Sequence, residues 1–450
     1  MTRFEPKKRS AGLARLFSVA AAVALLLVPA AARAGIVGET GTTFDLTASE
    51  GYISVADGGS IYSWGYSTDG SMQLPGPTLI VAAGVTVSVT LHNALPAAAG
   101  NVSIVFPGHT GMTTTGGAPG LLTQEAAPGG SVTYTFTASE PGTYHYHSGT
   151  RPDLQVEMGL YGALIVEPTA AATGCTASAY DHAATCFDRE YLYLLSEVDL
   201  DIHQAAEMQA SGPGPIDVGY GPFSPEYWLL NGRAAPDTMA PAGDPLLPAQ
   251  PYNAMTRMHP GERLLMRVVG AGREMHPYHH HGNHVRVLAR DGRLLLSETN
   301  PNQLAGPLLF TIPSVPGGTV DAIFEWTGKD LGWDIYGTTD INPHVCTPDV
   351  DGYHSVVTDL NYREWCADHD REIPVSLPDP NSLAFGGFYS GSPYLGALGR
   401  LPPGEGGLNP NAGFAYMWHS HTEREMVNND VFPGGMMTML IIEPWPPATY

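Results

Sequence analysis

The sequence predicts an all-β protein built from two β-sandwich domains, with a long insertion in the second domain. Two observations support this fold class. Segments in which apolar residues alternate with small or polar residues recur along the chain, and turn signals separate them. The 450 residues also include 53 glycines and 39 prolines, a composition that favours turns over long helices.

The first 34 residues predict an export signal that is not part of the fold. Basic residues, among them Lys7, Lys8 and Arg9, precede an apolar stretch at 16–28 and a small-residue cleavage pattern at 32–34. The apolar stretch is too short for a membrane anchor, and no other apolar run approaches about 18 residues. We therefore expect an exported protein, periplasmic or extracellular, without a membrane partner.

The chain is strongly acidic, with a formal net charge of −23 at pH 7. The predicted signal contains six of the 21 lysines and arginines but one of the 44 acidic residues, so the mature chain would be more acidic still. A surface of this sign repels nucleic acids and anionic membranes and attracts cations. We therefore expect no nucleic-acid partner.

Residues 35–168 predict the first domain. Alternating apolar positions or short apolar runs mark its candidate strands, and proline- and glycine-containing turns separate them. The candidate strands are 79–81, 85–91, 132–136, 142–147 and 160–166. This number of strands suits one β-sandwich.

A linker is predicted at 169–188, and the strand pattern restarts in a second domain at 189–450. Its candidate strands are 191–195, 227–230, 263–269, 284–288, 308–312 and 320–326, followed by a last strand pair near the C-terminus. A segment at about 337–413, rich in proline, glycine and asparagine, interrupts the pattern and predicts an insertion. Each predicted sandwich ends in a His-x-His strand followed by an apolar strand, which suggests an internal duplication.

The four cysteines form two close pairs along the chain, Cys175 with Cys186 and Cys346 with Cys366. In an oxidising compartment the simplest arrangement is two local disulfides with these partners. The second disulfide would staple the insertion. No cysteine lies within a histidine cluster, so the sequence predicts no thiolate metal ligand.

Nine of the 17 histidines fall in three short stretches. Alternate residues of a strand point to the same face, so a His-x-His pair presents two imidazoles together. Imidazole suits copper, zinc, iron and nickel. A single pair is more often structural, but three pairs at strand ends predict a metal site at the domain interface. The candidate ligands are His145, His147, His279, His281, His419 and His421.

The motifs that carry these histidines resemble those of the multicopper oxidases, the cupredoxin-domain family that includes laccases. The matching motifs are LPGPT at 74–78, GTYHYH at 142–147, NG at 231–232, HPYHHHG at 276–282, HSH at 419–421 and GM at 435–436. The motif at 276–282 is the most specific, and the resemblance covers most of the mature chain except the insertion. It implies two cupredoxin-like Greek-key domains and a copper cofactor.

In this family a type 1 copper takes electrons from the substrate, and a trinuclear cluster of type 2 and type 3 copper reduces dioxygen. By resemblance, His279 matches a type 2 ligand and His276 a type 1 ligand. The residues that match type 3 ligands are His145, His147, His281, His419 and His421.

Departures from the family pattern change this expectation. The segment at 103–108, where the family has its first His-x-His pair, contains no histidine. Ser420 stands where the family has its type 1 cysteine, and Glu425 stands where it has a type 1 histidine. A serine hydroxyl does not replace a thiolate, so we expect a type 2/type 3-like copper centre without a type 1 blue copper. The additional candidate metal ligands are His109, His276 and Met436.

The sequence therefore predicts an exported copper-binding oxidoreductase of the multicopper-oxidase type. A small molecule or a metal ion would donate electrons, and dioxygen would accept them. The alternative is a non-catalytic protein that holds copper for storage, tolerance or delivery. A third interpretation is a resemblance to the two-domain copper nitrite reductases, but that family also needs a type 1 cysteine. Neighbouring subunits complete copper sites in two-domain relatives, which makes a homotrimer a further expectation.

Overall fold

The computed structural model describes residues 36–219, 221–337, 339, 343–372, 391–392 and 414–443. In these ranges regular structure is almost entirely β, as the sequence predicts, and most strands belong to two pairs of sheets. We call these pairs the first and second sandwiches. The export-signal prediction falls on residues 1–34, which lie outside the described ranges. The described ranges also contain only part of the predicted insertion. No helix in the described ranges is long and apolar enough to cross a membrane.

The first sandwich contains a four-stranded and a five-stranded sheet, with a two-stranded hairpin beside them. Its strands are β1 (Glu39–Thr40), β2 (Thr43–Ser54), β3 (Ser60–Ser67), β4 (Leu79–Ala82), β5 (Thr86–Asn93), β6 (Thr113–Gly116), β7 (Ala118–Pro119), β8 (Gln124–Glu125), β9 (Ser131–Thr137), β10 (Gly142–His147) and β11 (Tyr161–Glu167). The strand orders are β1-β4-β11-β10 and β3-β2-β5-β9-β6.

The second sandwich contains a seven-stranded and a six-stranded sheet. Its strands are β12 (Arg189–Val198), β13 (Tyr227–Leu230), β14 (Thr256–Met258), β15 (Arg263–Gly270), β16 (His276–His280), β17 (Val285–Arg290), β18 (Arg293–Leu294), β19 (Leu308–Leu309), β20 (Thr311–Ser314), β21 (Thr319–Glu325), β22 (Gly391–Ser392), β23 (Phe414–Ser420) and β24 (Met437–Ile442). The strand orders are β13-β12-β15-β21-β17-β18, with β19 on β17, and β14-β24-β23-β16-β20, with β22 on β23.

The two sandwiches repeat one pairing pattern. In the first, β2 pairs antiparallel with β3 and parallel with β5, which pairs antiparallel with β9. In the second, β12 pairs in the same two ways with β13 and β15, and β15 pairs antiparallel with β21. Likewise β11 lies parallel to β4 and antiparallel to β10, as β24 does to β14 and β23. The internal duplication suggested by the sequence therefore corresponds to a repeated topology.

Each sandwich has its own apolar core, and a further cluster joins the two. Strand β9 alternates buried and more exposed residues, as expected for a strand with one solvated face. Strands β11 and β15 are instead buried along almost their whole length. Tyr161 and Ile165 of β11 pack in one cluster with Leu192 and Leu194 of β12, so apolar side chains fill the space between the two sandwiches.

A buried polar network crosses the same interface. The Arg267 side chain is 1% exposed, and its Nε lies 3.0 Å from Oε2 of Glu190. Asp321 accepts hydrogen bonds from Thr143 Oγ1 and from the Tyr180 hydroxyl, both at 2.5 Å. Nη1 of Arg267 lies 3.8 Å from Oδ2 of Asp321. Because Thr143 belongs to β10 and Asp321 to β21, this network ties the first sandwich to the second.

In the described ranges helices are few and short, and the longer α-helix, α2, spans Leu200–Gln209. Helix α2 was not predicted from the sequence; it begins after Asp199, whose Oδ1 accepts a hydrogen bond from the backbone N–H of Asp201 at 3.1 Å. The α-helices are α1 (Pro152–Gln155) and α2 (Leu200–Gln209), and single turns of 3-10 helix occur at Ala97–Ala99, Ala183–Thr185, Asp237–Met239, Cys366–Asp368 and Glu423–Met426.

Most predicted strands coincide with observed ones, and both predicted disulfides, Cys175–Cys186 and Cys346–Cys366, are confirmed. The prediction of one strand at 308–312 was wrong, because β19 and β20 pair with different strands there. Strands β2 and β3 were missed, since small residues such as Ala48 and Gly51 weaken the apolar alternation.

Replacement of Asp321 by alanine should lower the free energy of unfolding by about 3 kcal/mol, because it removes a buried charge partner of Arg267 and two hydrogen-bond acceptors. Glu325→Ala is the matched control on the same strand. Glu325 pairs with Arg263, but 54% of its side chain is exposed, so the loss should stay below about 1 kcal/mol. Urea denaturation of both variants measures the difference, and equal losses would contradict the role given to Asp321.

Candidate metal centre

Four of the predicted histidine ligands converge because of the register between β16 and β23. These strands are antiparallel, and His279 lies directly opposite His419. Residues two positions away on a strand share its face, so His281 and His421, each just beyond the end of its strand, lie beside the central pair. We call these residues the four-histidine cluster.

The four imidazole rings form a compact group. The ring centroid of His279 lies 5.0 Å from that of His281, 5.4 Å from that of His419 and 4.7 Å from that of His421. Nε2 of His281 is 3.2 Å from Nε2 of His419. Ring nitrogens of His279, His281 and His419 all lie within 4.8 Å of one another. This spacing allows the three imidazoles to share one metal ion.

Hydrogen bonds orient two of these rings. Nδ1 of His279 lies 2.9 Å from Thr311 Oγ1 on the neighbouring strand β20, and its buried Nε2 has no hydrogen-bond partner. Nδ1 of His419 lies 2.6 Å from the carbonyl oxygen of Ser420, which can only accept a hydrogen bond. His419 therefore carries its proton on Nδ1 and points the lone pair of Nε2 at His281. Such a contact to the second ring nitrogen is typical of a metal-ligating histidine.

Burial keeps these imidazoles neutral. It lowers the pKa of His279 to about 3, and the neighbouring histidines lower it further in the same direction. Burial likewise lowers the pKa of His419 to about 4. A metal ligand must be a neutral imidazole with a free lone pair. The cluster therefore fits a transition-metal ion that accepts imidazole nitrogens, in its geometry and in the neutral state of His279 and His419.

One edge of the cluster reaches solvent. The side chain of His421 is 34% exposed, and its Nδ1 lies 3.3 Å from Oε1 of Glu423, a residue that is itself 74% exposed. His279 and His419 are buried. A small reactant could therefore approach the cluster from the side of His421.

The first sandwich carries a second imidazole pair on β10. The rings of His145 and His147 are stacked with centroids 5.0 Å apart, and the ring of His145 also contacts that of Tyr161. Both nitrogens of His145 are buried without a hydrogen-bond partner, and burial lowers its pKa to about 3. Nδ1 of His147 lies 2.9 Å from the carbonyl oxygen of Ser148, the same arrangement as His419 with Ser420.

The segment at 103–108 lies beside this pair but adds no imidazole to it. Val105 exchanges two backbone hydrogen bonds with His147, at 2.8 and 3.3 Å. The Ser103 hydroxyl lies 2.8 Å from that of Thr150. His109, the nearest candidate ligand, instead packs its ring against Tyr144 at 4.5 Å and Phe136 at 4.9 Å.

The opposite face of β16 and β23 holds a different network. Nε2 of His276 lies 2.8 Å from Oε2 of Glu197, and its Nδ1 lies 2.9 Å from Oε2 of Glu425. The Ser420 hydroxyl donates a 2.5 Å hydrogen bond to the same oxygen of Glu425. We call these four residues the His276 network. Met436 is fully buried in the adjoining core, and its backbone carbonyl accepts a hydrogen bond from Ser420.

His276 differs from the four-histidine cluster in charge. Burial alone would lower the pKa of His276, but the hydrogen bonds to Glu197 and Glu425 outweigh burial and raise it to about 9. At neutral pH both of its ring nitrogens therefore carry protons and donate to carboxylates. A doubly protonated imidazole has no lone pair for a metal. His276, one of the additional candidate ligands, therefore donates hydrogen bonds to Glu197 and Glu425 in this structure and offers no lone pair to a metal.

Sequence analysis missed several residues that shape these sites. Thr311 lies on β20, a strand that the sequence placed only approximately, and Glu197 lies at the end of β12, far from any histidine motif. His280 and His284, the other histidines of the same stretch, stay outside the cluster. The ring of His280 packs on Trp418 and Tyr278 in the core. The i, i+2 rule would have separated His280 from its neighbours.

Comparisons with known proteins agree with the resemblance seen in the motifs. A family model described as multicopper oxidase matches residues 56–171, a segment that includes His145 and His147. The chain is 37% identical over 95 residues to multicopper oxidase CTB12 of Cercospora beticola, covering 21% of this chain and 14% of that protein. It is 31% identical over 157 residues to copper resistance protein A of Escherichia coli, covering 35% and 22%. The chain thus matches less than a quarter of the length of either relative.

A solved structure supports the fold over most of the chain. The crystal structure of the blue copper oxidase from Nitrosomonas europaea aligns with a TM-score of 0.52 at 18% identity, covering 89% of this chain and 86% of that one. The cupredoxin-like fold class predicted from the sequence is therefore confirmed.

The depressed pKa values predict how the stability of the metal-free protein depends on pH. Because the folded-state pKa of His279 is about 3 and that of His419 about 4, the unfolded chain takes up these protons first as the pH falls below about 6.5. The free energy of unfolding should therefore decrease on acidification from about pH 6.5 to 4, by at most about 1.4 kcal/mol per pH unit for each such histidine.

Denaturation at a series of pH values, with a chelator present, measures this slope. His419→Gln should give a shallower slope than the wild type, whereas His284→Gln, a change at an exposed histidine outside the cluster, should leave it unchanged. The interpretation is wrong if His419→Gln keeps the wild-type slope.

Proposed function

We propose that this chain, a divergent member of the multicopper oxidase family, is an exported copper-binding oxidoreductase whose copper is held by imidazoles. The observation that carries the proposal is the four-histidine cluster. Its imidazoles converge from two paired strands, burial keeps His279 and His419 neutral, and Nε2 of His279 has no hydrogen-bond partner. Relatives named multicopper oxidase and copper resistance protein A favour copper over the other metals that imidazole binds.

His279, His281, His419 and His421 would hold the metal in a type 2/type 3-like centre. Copper bound there would supply one-electron chemistry, with dioxygen as the acceptor. The protein's own contribution is to orient the ligands. Thr311 orients the ring of His279, the Ser420 carbonyl fixes the ring proton of His419 on Nδ1, and burial disfavours the doubly protonated form of both rings.

The centre proposed here lacks a type 1 blue copper. The His276 network occupies the positions that match the type 1 site, and it is internally satisfied by hydrogen bonds between Glu425, Ser420 and His276. All four cysteines are in disulfides, so none of them offers a thiolate. Electrons must then reach the four-histidine cluster from the donor directly. A small molecule or a metal ion that approaches past His421 fits this requirement.

His145 and His147 belong to the same function if a second copy of the chain completes the site. Both nitrogens of His145 are buried and unpartnered, as expected for a ligand set that is incomplete in one chain. Apposition of this pair to the four-histidine cluster of a neighbouring copy would form a closed ring, and a homotrimer is the assembly we propose. His109 remains proposed as an additional ligand only in such an assembly, whereas Met436 is fully buried in the core beside the His276 network.

Non-catalytic copper storage, tolerance or delivery is the second candidate function. The absence of a cysteine ligand and the similarity to a copper resistance protein favour it. In both functions the chain is exported to the periplasm or beyond the cell. The two disulfides support an oxidising compartment, and the acidic composition argues against nucleic acid or an anionic membrane as partner.

Copper-loaded protein should show no intense blue absorption, because that band requires a copper–thiolate bond. The optical spectrum and the electron paramagnetic resonance spectrum of the purified, copper-loaded chain test this expectation. The signals of nitrogen-ligated Cu²⁺ should be present in the wild-type protein and absent in His279→Ala. A strong blue band in the wild-type protein would contradict the proposed centre.

Oxygen consumption separates the two candidate functions. With phenols or reduced metal ions as donors, copper-dependent oxygen uptake should fall at least tenfold in His279→Ala and in His419→Ala, because both changes remove a ligand. His284→Ala, a change at an exposed histidine of the same stretch, should retain wild-type uptake. Stoichiometric copper binding without uptake on any donor would favour storage, tolerance or delivery.

A further inference from the structure

A second group of potential metal ligands lies away from the histidine motifs, at the start of the predicted insertion. It consists of Asp334, His344, Glu364 and His369, and one ligand atom from each lies within 4.8 Å of the others. We call it the insertion cluster. Its four residues fall within the described ranges of the chain. None of them belongs to a His-x-His pair, so no histidine motif in the sequence points to them.

The insertion cluster is buried although it consists entirely of ionisable groups. The exposed fraction of the side chain is 0% for Asp334, 3% for His344, 4% for Glu364 and 24% for His369. Two carboxylates held close together away from water repel each other and lose hydration. A bound divalent cation would neutralise both carboxylates at once.

The histidine–carboxylate distances within the insertion cluster are close to those between ligands of one metal ion. Nε2 of His344 lies 3.0 Å from Oδ2 of Asp334 and 3.7 Å from Oε2 of Glu364. Nδ1 of His369 lies 3.0 Å from Oε1 of Glu364 and 3.8 Å from Oδ2 of Asp334. Ligands about 2.0–2.1 Å from a tetrahedral zinc ion are separated by about 3.3 Å, a value that these four distances bracket.

Neighbouring groups hold the two carboxylates in place. Asp334 accepts hydrogen bonds from the backbone N–H of Tyr336 at 2.8 Å and of Asp370 at 3.0 Å. Glu364 accepts one from the side-chain amide of Asn361 at 2.5 Å. Such outer contacts fix ligand oxygens before a metal arrives and are characteristic of metal sites in proteins.

The disulfide Cys346–Cys366 constrains the same residues. Cys346 follows His344 by two positions, and Cys366 follows Glu364 by two positions, so the bridge brings two ligand-bearing segments together. Regular structure within 343–372 is limited to the 3-10 turn at Cys366–Asp368. A segment with so little regular structure is usually stabilised by disulfides or metals rather than by an apolar core.

We propose that Asp334, His344, Glu364 and His369 bind one divalent first-row cation, with zinc as the ion that their geometry fits best, and that this ion fastens the insertion to the second sandwich. Imidazole nitrogens and carboxylate oxygens are ligand types that zinc accepts, and four of them complete a tetrahedral coordination shell. The site is independent of the four-histidine cluster and of the proposed oxidoreductase function. Its role is structural, because the four protein ligands leave no open coordination position.

Metal content measured on the full-length chain tests this site. Protein stripped with a chelator is equilibrated with Zn²⁺, desalted and analysed for zinc by mass spectrometry. The wild type should retain one more equivalent of zinc than Glu364→Gln or His344→Gln. The matched control is His354→Gln. His354 is a buried histidine of the same segment, and its Nε2 lies at hydrogen-bond distance from Asp359, which is outside the cluster. This variant should retain the wild-type amount of zinc.

The alternative is a cluster of histidine–carboxylate ion pairs without a metal, and it predicts equal zinc content in the wild type and all three variants. That result, with unchanged circular dichroism, would overturn the proposal. If His344→Gln does not fold, the near-isosteric Glu364→Gln decides alone. A chelator should also accelerate proteolysis within 343–372 in the wild type but not in Glu364→Gln. The wild type and the variants are also equilibrated with Cu²⁺ and Zn²⁺ together. If the wild type then retains copper instead of zinc at this site, and the variants lose it, the assignment to zinc would be overturned.

Discussion

The antiparallel register of β16 and β23 is the constraint on which the proposed chemistry depends. His279 faces His419 across the pair, and the next same-face positions are His281 and His421, so one strand pair gathers four imidazoles. Burial then makes protonation of His279 and His419 unfavourable. The Nε2 lone pair of His419 is directed at Nε2 of His281 across 3.2 Å. A neutral His281 can donate its own N–H across this distance, and a metal ion bound there would replace that hydrogen bond by coordination to both nitrogens.

The two faces of the same strands create opposite electrostatic environments. On one face burial lowers the pKa of His279 and His419 and keeps both imidazoles neutral. On the other face Glu197 and Glu425 enclose His276 and hold it protonated. Because Ser420 faces away from the cluster, its hydroxyl joins the charged network while its carbonyl orients His419. A single strand therefore carries the proposed metal site on one face and part of the His276 network on the other.

Much of the architecture could be predicted from the sequence because it depends on local patterns. Alternation identified β5 and β9, and spacing identified both disulfides. The carboxylate partners of His276 could not be predicted in this way, since Glu197 is distant in the chain and reaches the site only through sheet packing. The insertion cluster was missed for the same reason. Its four ligands follow no short spacing, and only the folded loop and its disulfide bring them together.

Anomalous X-ray scattering at the copper edge from crystals of the copper-loaded chain tests the central claim most directly, because it locates the metal without reference to spectra or turnover. The expected result is an anomalous peak enclosed by His279, His281 and His419, with none between His276, Ser420 and Met436. A peak at the latter position, with none at the four-histidine cluster, would contradict a copper site built from imidazoles and formed without a thiolate.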